Sequence, residues 1–563
     1  MHNQEFIENW RKARQYTPEQ LTYAQLVLEE VRQGRRLDRA LRSHPLPNGR
    51  LIAKHVLVAA YYDLVARGEW QEDNDFLSRI RMKPVRTLSG VTTVTVLTKA
   101  YPCPGRCIFC PTEAYMPKSY LADEPGAARA FQNRFDPFDQ VRSRIKEYES
   151  VGHPNDKIEL LILGGTWSSY TRPYQEWFVR RCFNAMNADT PAAHEELQQP
   201  EPPDEKNKNT DVDLSNLKIA QLHNETAGHR NVGLVIETRP DEINVEMLQW
   251  LRRLGVTKVQ MGAQSLDNRI LALNLRGHSA EDTLKATTLL RAAGFKIVLH
   301  WMPNLLGATL ESDRLDFTRL WSDGYAPDEL KIYPTQLLET AELYHYWQRG
   351  EYHPYSSEEL IQLIADLKSG IPEYCRVNRI IRDIPSTHVV EGNKRTSLRQ
   401  DVHYELKKRG QECHCIRCRE IKTQKVEPGE LILKDLVYSP SQAEEHFISF
   451  NTPDDKLAGY LRLSLPNPDA PRMGLPDLEG AALIREVHVY GQSLAVGAEK
   501  SGAAQHIGLG TQLLAEADRI ACQRGFSRMA VIAAIGTRLY YENRGFHRGE
   551  LYMVRELNPK KPA

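Results

Sequence analysis

A multi-domain α/β fold is predicted from three features of the sequence. Its start has helical periodicity, its middle alternates short β-rich runs with amphipathic stretches, and its end has a second, strand-rich texture. The chain has 563 residues. At about 100–200 residues per domain, three or four folded units are expected. Lys+Arg and Asp+Glu both total 73, so any nucleic-acid face must be a local patch. A hydrophobic fraction of 41% and a charged fraction of 26% exclude a chain that is disordered throughout. No run approaches the roughly 18 apolar residues that span a bilayer, and MHNQEFIENWRKARQ lacks a signal-peptide core. A cytoplasmic protein with no membrane partner is expected.

Residues 1–80 predict a helical domain. Leu21, Ala24, Leu28 and Val31 recur at helical spacing, and RLIAKHVLVAAYYDLVARG repeats the pattern up to Gly68. Residues 81–385 hold the runs GVTTVTVLT, KIELLILGG, NVGLVIETR, KVQMGAQ, KIVLHWM and ELKIYPT, with helical stretches between them. Strand–helix–strand repeated about six times predicts parallel βα units, as a partial barrel or an open sheet with ligands at the strands' carboxyl ends. Polar, Pro-rich 198–213 reads as a mobile surface insertion. Residues 386–426 form an irregular basic linker. Residues 427–563 predict a compact α+β domain built around a glycine-containing turn into a helix.

Cysteine clustering is the first sign of chemistry. Of nine cysteines, six fall into two triplets, and in a reducing compartment such clusters read as metal or catalytic sites. Cys103, Cys107 and Cys110 form C-x-x-x-C-x-x-C directly after the first strand run. Three soft thiolates suit a cubane cluster with one iron left open, whereas a zinc knuckle would need a fourth ligand. The spacing resembles that of the radical S-adenosylmethionine (SAM) superfamily. ILGGTW, with Gly164 and Gly165, resembles that superfamily's segment against the methionine moiety of SAM. Cys413, Cys415 and Cys418 form C-x-C-x-x-C, a partial zinc site or a second iron–sulfur site. Cys182 and Cys522 read as packed thiols.

QHIGLGTQLL places Gly508 and Gly510 at a helix start, where backbone N–H groups and the helix dipole favour a pyrophosphate. With the strands around it, the turn resembles the GNAT acetyltransferase fold, whose turn holds coenzyme A. Tyr541 in TRLYYENRGF stands where many GNAT enzymes keep a tyrosine near the thioester sulfur; packing beneath the sheet is the alternative.

A radical SAM partial (β/α)6 barrel followed by a GNAT-like domain resembles the family of the Elongator catalytic subunit, the tRNA uridine carboxymethyl synthases. RTLSGV, NRFDPF, LGGTW, IETRPD, QSL, RGH, KIYPT, RDIP, REVHVYG, QHIGLG and GTRLYY carry the resemblance across about residues 80–557. It implies a [4Fe-4S] cluster on Cys103, Cys107 and Cys110, with SAM and acetyl-CoA. A SAM-derived radical would activate the acetyl methyl, which attacks carbon 5 of the wobble uridine (position 34) in a tRNA anticodon loop. Hydrolysis of the thioester would then leave a carboxymethyl group. It further implies acetyl-CoA contacts from Lys157, from Glu486, Val487, His488 and Val489, from Leu509, Gly510 and Thr511, and from Tyr541, with Lys157 and Tyr541 nearest the chemistry. A solvated lysine at a strand start is the alternative for Lys157, and Glu486 has no assigned role as a base. The second triplet resembles a zinc element of prokaryotic members, with Cys375, His403 and His414 as candidates for the fourth ligand. An external electron donor is required, and a homodimer is compatible with the sequence. Phosphate contacts are expected from Arg79, Arg81, Lys83 and Arg86 and from Arg35, Arg36, Arg39 and Arg42. Two other readings are a GNAT-type protein lysine acetyltransferase with the barrel as scaffold, and a non-catalytic tRNA-binding subunit. The intact cysteine array argues against the first, and the retained cysteines and glycine turn against the second.

Overall fold

The computed structural model describes residues 15–83, 87, 89–188, 211–422, 424, 428–490 and 508–557. Arg86, most of the 198–213 stretch and Gln505–Ile507 of the glycine turn lie outside the described residues.

Four described helices, Pro18–Arg32, Leu37–Ser43, Lys54–Ala66 and Asn74–Ile80, form the first domain. A capping box between Thr17 and Gln20 starts the first helix, satisfying N–H groups that would otherwise lack partners. Ala24, Leu28, Val31, Tyr61, Phe76 and Ile80 belong to a core separate from that of the rest of the chain. Arg35 and Arg36 pair with Glu30 and Asp38, while Arg39 and Arg42 are exposed.

Seven parallel strands follow: β1 Thr92–Leu97, β2 Lys157–Leu163, β3 Arg230–Thr238, β4 Lys258–Gln264, β5 Lys296–Trp301, β6 Glu329–Ile332 and β7 Arg376–Arg379. Their spatial order is their sequence order, and no β7–β1 pair closes the ring among the described residues. The fold is thus a partial barrel, with one strand more than the six runs read from the sequence. β7 is only four residues long and reads RVNR, without the apolar run that marks a buried strand. Alternation along β2 shows how the barrel is filled. Ile158, Leu160 and Ile162 are buried in the core, while Glu159, Leu161 and Leu163 face the lumen.

The last domain is a second seven-stranded sheet in the order β13-β14-β12-β11-β10-β9-β8. Its strands are β8 Ile432–Tyr438, β9 Ala443–Asn451, β10 Leu457–Pro466, β11 Ala481–Val489, β12 Arg528–Val531, β13 His547–Arg548 and β14 Met553–Glu556. Only β11 and β12 run parallel. They pair from Ala481 to Ile484, whereas β11 stays paired with β10 through Val489. Beyond Ile484 the two parallel strands therefore part, opening a cleft in the sheet.

Buried charge fastens this sheet to the amino ends of the barrel strands. Arg485 donates to Phe295 O at 2.9 Å, to Glu445 at 2.8 Å and to both carboxylate oxygens of Asp328. Arg462 donates to Tyr374 O at 2.7 Å. Phe295, Asp328 and Tyr374 precede β5, β6 and β7, so the cleft faces the end of the barrel opposite its carboxyl loops.

Candidate functional site

One cavity of about 1710 Å³ runs the length of the barrel lumen. Phe109, Tyr120 and Glu237 line it near the carboxyl ends, and Lys258, Lys296 and Glu329 near the amino ends. It continues into the C-terminal domain past Glu486, Val487, His488 and Tyr541.

The loop after β1 carries Cys103, Cys107 and Cys110, all half-buried. Gly105 N donates to Cys103 Sγ at 3.4 Å, and Arg276 Nη1 donates to Cys107 Sγ at 3.3 Å. Burial pushes the Cys110 thiol up to about 11. Among the described residues, only the second triplet brings its sulfurs within the 4.8 Å expected around a single ion. The wider first triplet suits a multi-iron cluster. A second observation agrees: Arg239 Nη1 is buried without a partner beside the Gly105–Cys107 loop, a cation aimed where an anionic cluster would sit.

Gly164 and Gly165 end β2 beside this loop with φ of 132° and 95°. A Cβ on Gly164 would fall on Thr98 Oγ1. Gly164→Ala is expected to cost about 1–3 kcal/mol in strain, read by urea denaturation. It should also reduce cluster loading, read as iron content.

Lysine–glutamate pairs fill the amino half of the lumen. Lys258 reaches Glu159 at 2.6 Å and Glu329 at 3.0 Å, and Lys296 pairs with Glu486 across the domain boundary. Burial opposes the Lys258 charge, but Glu159 and Glu329 outweigh it and raise its pKa. Burial would likewise raise Glu329, but Lys258 and Lys296 hold it at about 2. Glu486 also accepts from Tyr460 Oη at 2.8 Å and Arg462 Nε at 3.0 Å. Burial disfavours its charge too, yet Lys296 and then Arg462 depress its pKa, so it stays ionised with all these donors in place. That environment is a poor one for a general base near neutral pH. His488, stacked on Tyr460, is driven down to about 4, chiefly by burial, and is neutral at pH 7.

The glycine turn lies beside the cleft and does not line the cavity. Gly508, at φ 71°, begins the helix Leu509–Gln523 in the left-handed region. A Cβ on Gly510 would lie 2.5 Å from Tyr540 Oη and 3.9 Å from Val489 Cγ2, so the turn sits against the end of β11. Leu509 is buried and Thr511 exposed. Tyr541 lines the cavity, packed edge-on against Tyr540 and Phe546.

Known proteins share this architecture. The radical SAM superfamily matches residues 100–317, and the Radical_SAM C-terminal domain matches residues 327–408. A tRNA uridine(34) acetyltransferase of Methanocaldococcus infernus is 38% identical over 552 residues, covering 94% of this chain and 98% of its own. Elongator complex protein 3 of Homo sapiens is 32% identical over 513 residues, covering 88% and 89%. The chain belongs to the tRNA uridine(34) acetyltransferase and Elongator complex protein 3 family. The solved structure of the archaeal M. infernus Elp3 with an N-terminal deletion (1–46) matches it with a TM-score of 0.69 at 37% identity, covering 83% of this chain and 99% of that one. A chain of this Elongator complex protein 3 family is a radical SAM acyltransferase, and its superfamily implies SAM and a [4Fe-4S] cluster. No described helix is long and apolar enough to cross a membrane.

Within this family frame, the residues expected at the site separate into groups. Glu486, Val487, His488 and Tyr541 share the cavity wall. Lys157 does not line it. It is the first residue of β2, paired in register with Arg230, whose Cβ lies 2.7 Å from where a Gly536 Cβ would stand. Lys157 is therefore at the barrel end facing the C-terminal domain, its pKa lowered by burial. In the second triplet, Cys415 and Cys418 sulfurs are 3.6 Å apart. His403 Nε2 is 4.0 Å from Cys418 Sγ, His414 is exposed, and the fully buried Lys368 puts its Nζ 3.9 Å from Cys418 Sγ. Cys182 is fully buried, and Cys522 partly so. Sequence reasoning missed Arg239, Arg276, Lys258, Lys296 and Glu329. Arg239 and Arg276 stood in the quoted IETRPD and RGH segments, and the signal for Lys258, Lys296 and Glu329 was charge at the start of buried strand runs, where an unpaired charge is costly.

Proposed function

We propose that this chain places a carboxymethyl group on carbon 5 of the wobble uridine (position 34) of tRNA, using acetyl-CoA and SAM. The observation that carries the reading is the single cavity joining the cluster loop to the acetyltransferase cleft through the barrel. A lysine acetyltransferase would need no such passage. The names of the relatives supply the substrate class.

Cys103, Cys107 and Cys110 would hold the [4Fe-4S] cluster, which together with SAM would supply radical chemistry able to take hydrogen from the acetyl methyl. The other tasks fall to this chain. The turn Gly508–Thr511, at the start of the helix Leu509–Gln523, holds the pyrophosphate of CoA at the helix N-terminus. The pantetheine arm lies along Glu486–Val489, where parted strands leave β11 without its β12 partner. Tyr541 directs its hydroxyl at the thioester. The walls of the lumen keep the acetyl group near its target and away from bulk water, which is positioning rather than new chemistry. An anticodon-loop uridine, released from its stack, enters at the carboxyl-end mouth. An external reductant supplies the electron.

Anaerobically reconstituted protein is incubated with tRNA, SAM, acetyl-CoA and dithionite, and digested nucleosides are read by mass spectrometry. 5-Carboxymethyluridine is the expected product. Its absence, with deoxyadenosine still released, would overturn the reading. Tyr541→Phe is expected to bind acetyl-CoA normally by calorimetry and to lower product formation about 100-fold, as loss of one directed donor does.

The second triplet holds one zinc ion in this proposal, with His403 the nearest candidate for a fourth ligand. Metal analysis should find one zinc per chain. Cys415→Ser should lose it and unfold earlier on heating, because metal binding is folding free energy.

A further inference from the structure

Arg276 is a buried cation with no carboxylate partner among the described residues. It is 7% exposed, on the loop between the helices Asn268–Leu273 and Ala280–Ala292 that follow β4. Nη2 donates to Gly262 O at 2.5 Å and Nη1 to Cys107 Sγ at 3.3 Å. Its neighbour Arg239 differs. Asp241 accepts from Arg239 Nε at 3.0 Å and from Nη2 at 2.9 Å, which compensates that charge locally. The two arginines lock each other, since Arg239 Nη2 also donates to Arg276 O at 2.8 Å. Gly262 makes room for the arrangement, because a Cβ there would stand 2.8 Å from Arg276 Nη2.

A buried guanidinium needs an anion, and the one in reach is the Cys107 thiolate with whatever that sulfur ligates. Adding an electron to an iron–sulfur cluster makes it more negative. A hydrogen bond to a ligating sulfur and a nearby positive charge both favour that state. We propose that Arg276 tunes the cluster, raising its reduction potential through its N–H···S bond to Cys107 and its uncompensated charge. It makes the one-electron entry from an external reductant easier, and no bond is made or broken in that step. Arg276 is a positioning and tuning residue. The inference rests on the cluster assignment above.

The test is a redox titration of the anaerobically reconstituted full chain, with dithionite and mediators, followed by electron paramagnetic resonance. SAM, acetyl-CoA and tRNA are left out. Arg276→Gln is expected to load the same iron and to titrate at a clearly more negative midpoint, with Arg276→Lys in between. Gly262→Ala, which keeps the charge but displaces the guanidinium, should also shift the midpoint negative. It preserves the test if Arg276→Gln fails to load iron. Midpoints matching the unmodified protein, at full iron content, would overturn the role of Arg276 and leave the cluster assignment standing. No cluster signal in the unmodified protein would overturn both.

Discussion

Cys107→Ala protein is expected to purify colourless under anaerobic conditions and to make no detectable 5-carboxymethyluridine, a fall of more than about a thousandfold. Cys107 is singled out among the three proposed ligands because it also receives the Arg276 N–H. Removing its sulfur would take away a proposed cluster ligand and the sulfur beside a buried cation together. The proposed acetyl-CoA cleft, at the other end of the lumen, should be untouched, since Gly508, Gly510 and Tyr541 belong to helices of the C-terminal domain. The variant should therefore still bind acetyl-CoA as the parent does. Product formation with the cluster absent would sink the radical reading, and lost acetyl-CoA binding would mean that the variant had misfolded.

The second large effect is on stability. Arg485 and Asp328 are fully buried and join the C-terminal sheet to the barrel, with Arg462 and Arg291 adding positive charge around Asp328. Arg485→Met should cost about 3–5 kcal/mol, because it strands carboxylates in the interior. The pH dependence follows from Asp328. Burial would raise its pKa, but Arg485, Arg462 and Arg291 outweigh burial and leave it depressed. Its contribution is thus fully present above the unfolded-state value of about 4 and is lost as pH falls through the lower folded-state value. Asp328→Asn should be less stable than the parent at pH 7 in urea denaturation, and the gap should narrow below about pH 4. A gap independent of pH would show that the charge on Asp328 is not what matters.

Both proposed cofactor loops stood out in the sequence because each is local. Three cysteines within eight residues must wrap one centre, and Gly508 and Gly510 open a helix whose apolar periodicity follows at once. Six of the seven barrel strands were equally plain, since strands buried on both faces read as apolar runs. β7 was not, because RVNR is short and charged and pairs only with β6. The lumen charges were invisible for a different reason. Lys258, Lys296 and Glu329 each stand at the first position of a strand, where a charge usually meets water. Here the docked sheet covers that end.

The sequence by itself determined the family resemblance, and it predicted an order of domains and two candidate ligand loops. These depend on residues close together in the chain and on the period of apolar positions. Only the tertiary structure decided which end of the barrel the second sheet covers, that one cavity runs from Phe109 and Pro111 of the cysteine loop to Glu486 and Tyr541 of the C-terminal domain, and that Arg276 reaches a cysteine 169 residues away. Such contacts come from the packing of whole faces and from the need of buried charges for partners. Neither is written in the spacing of neighbouring residues.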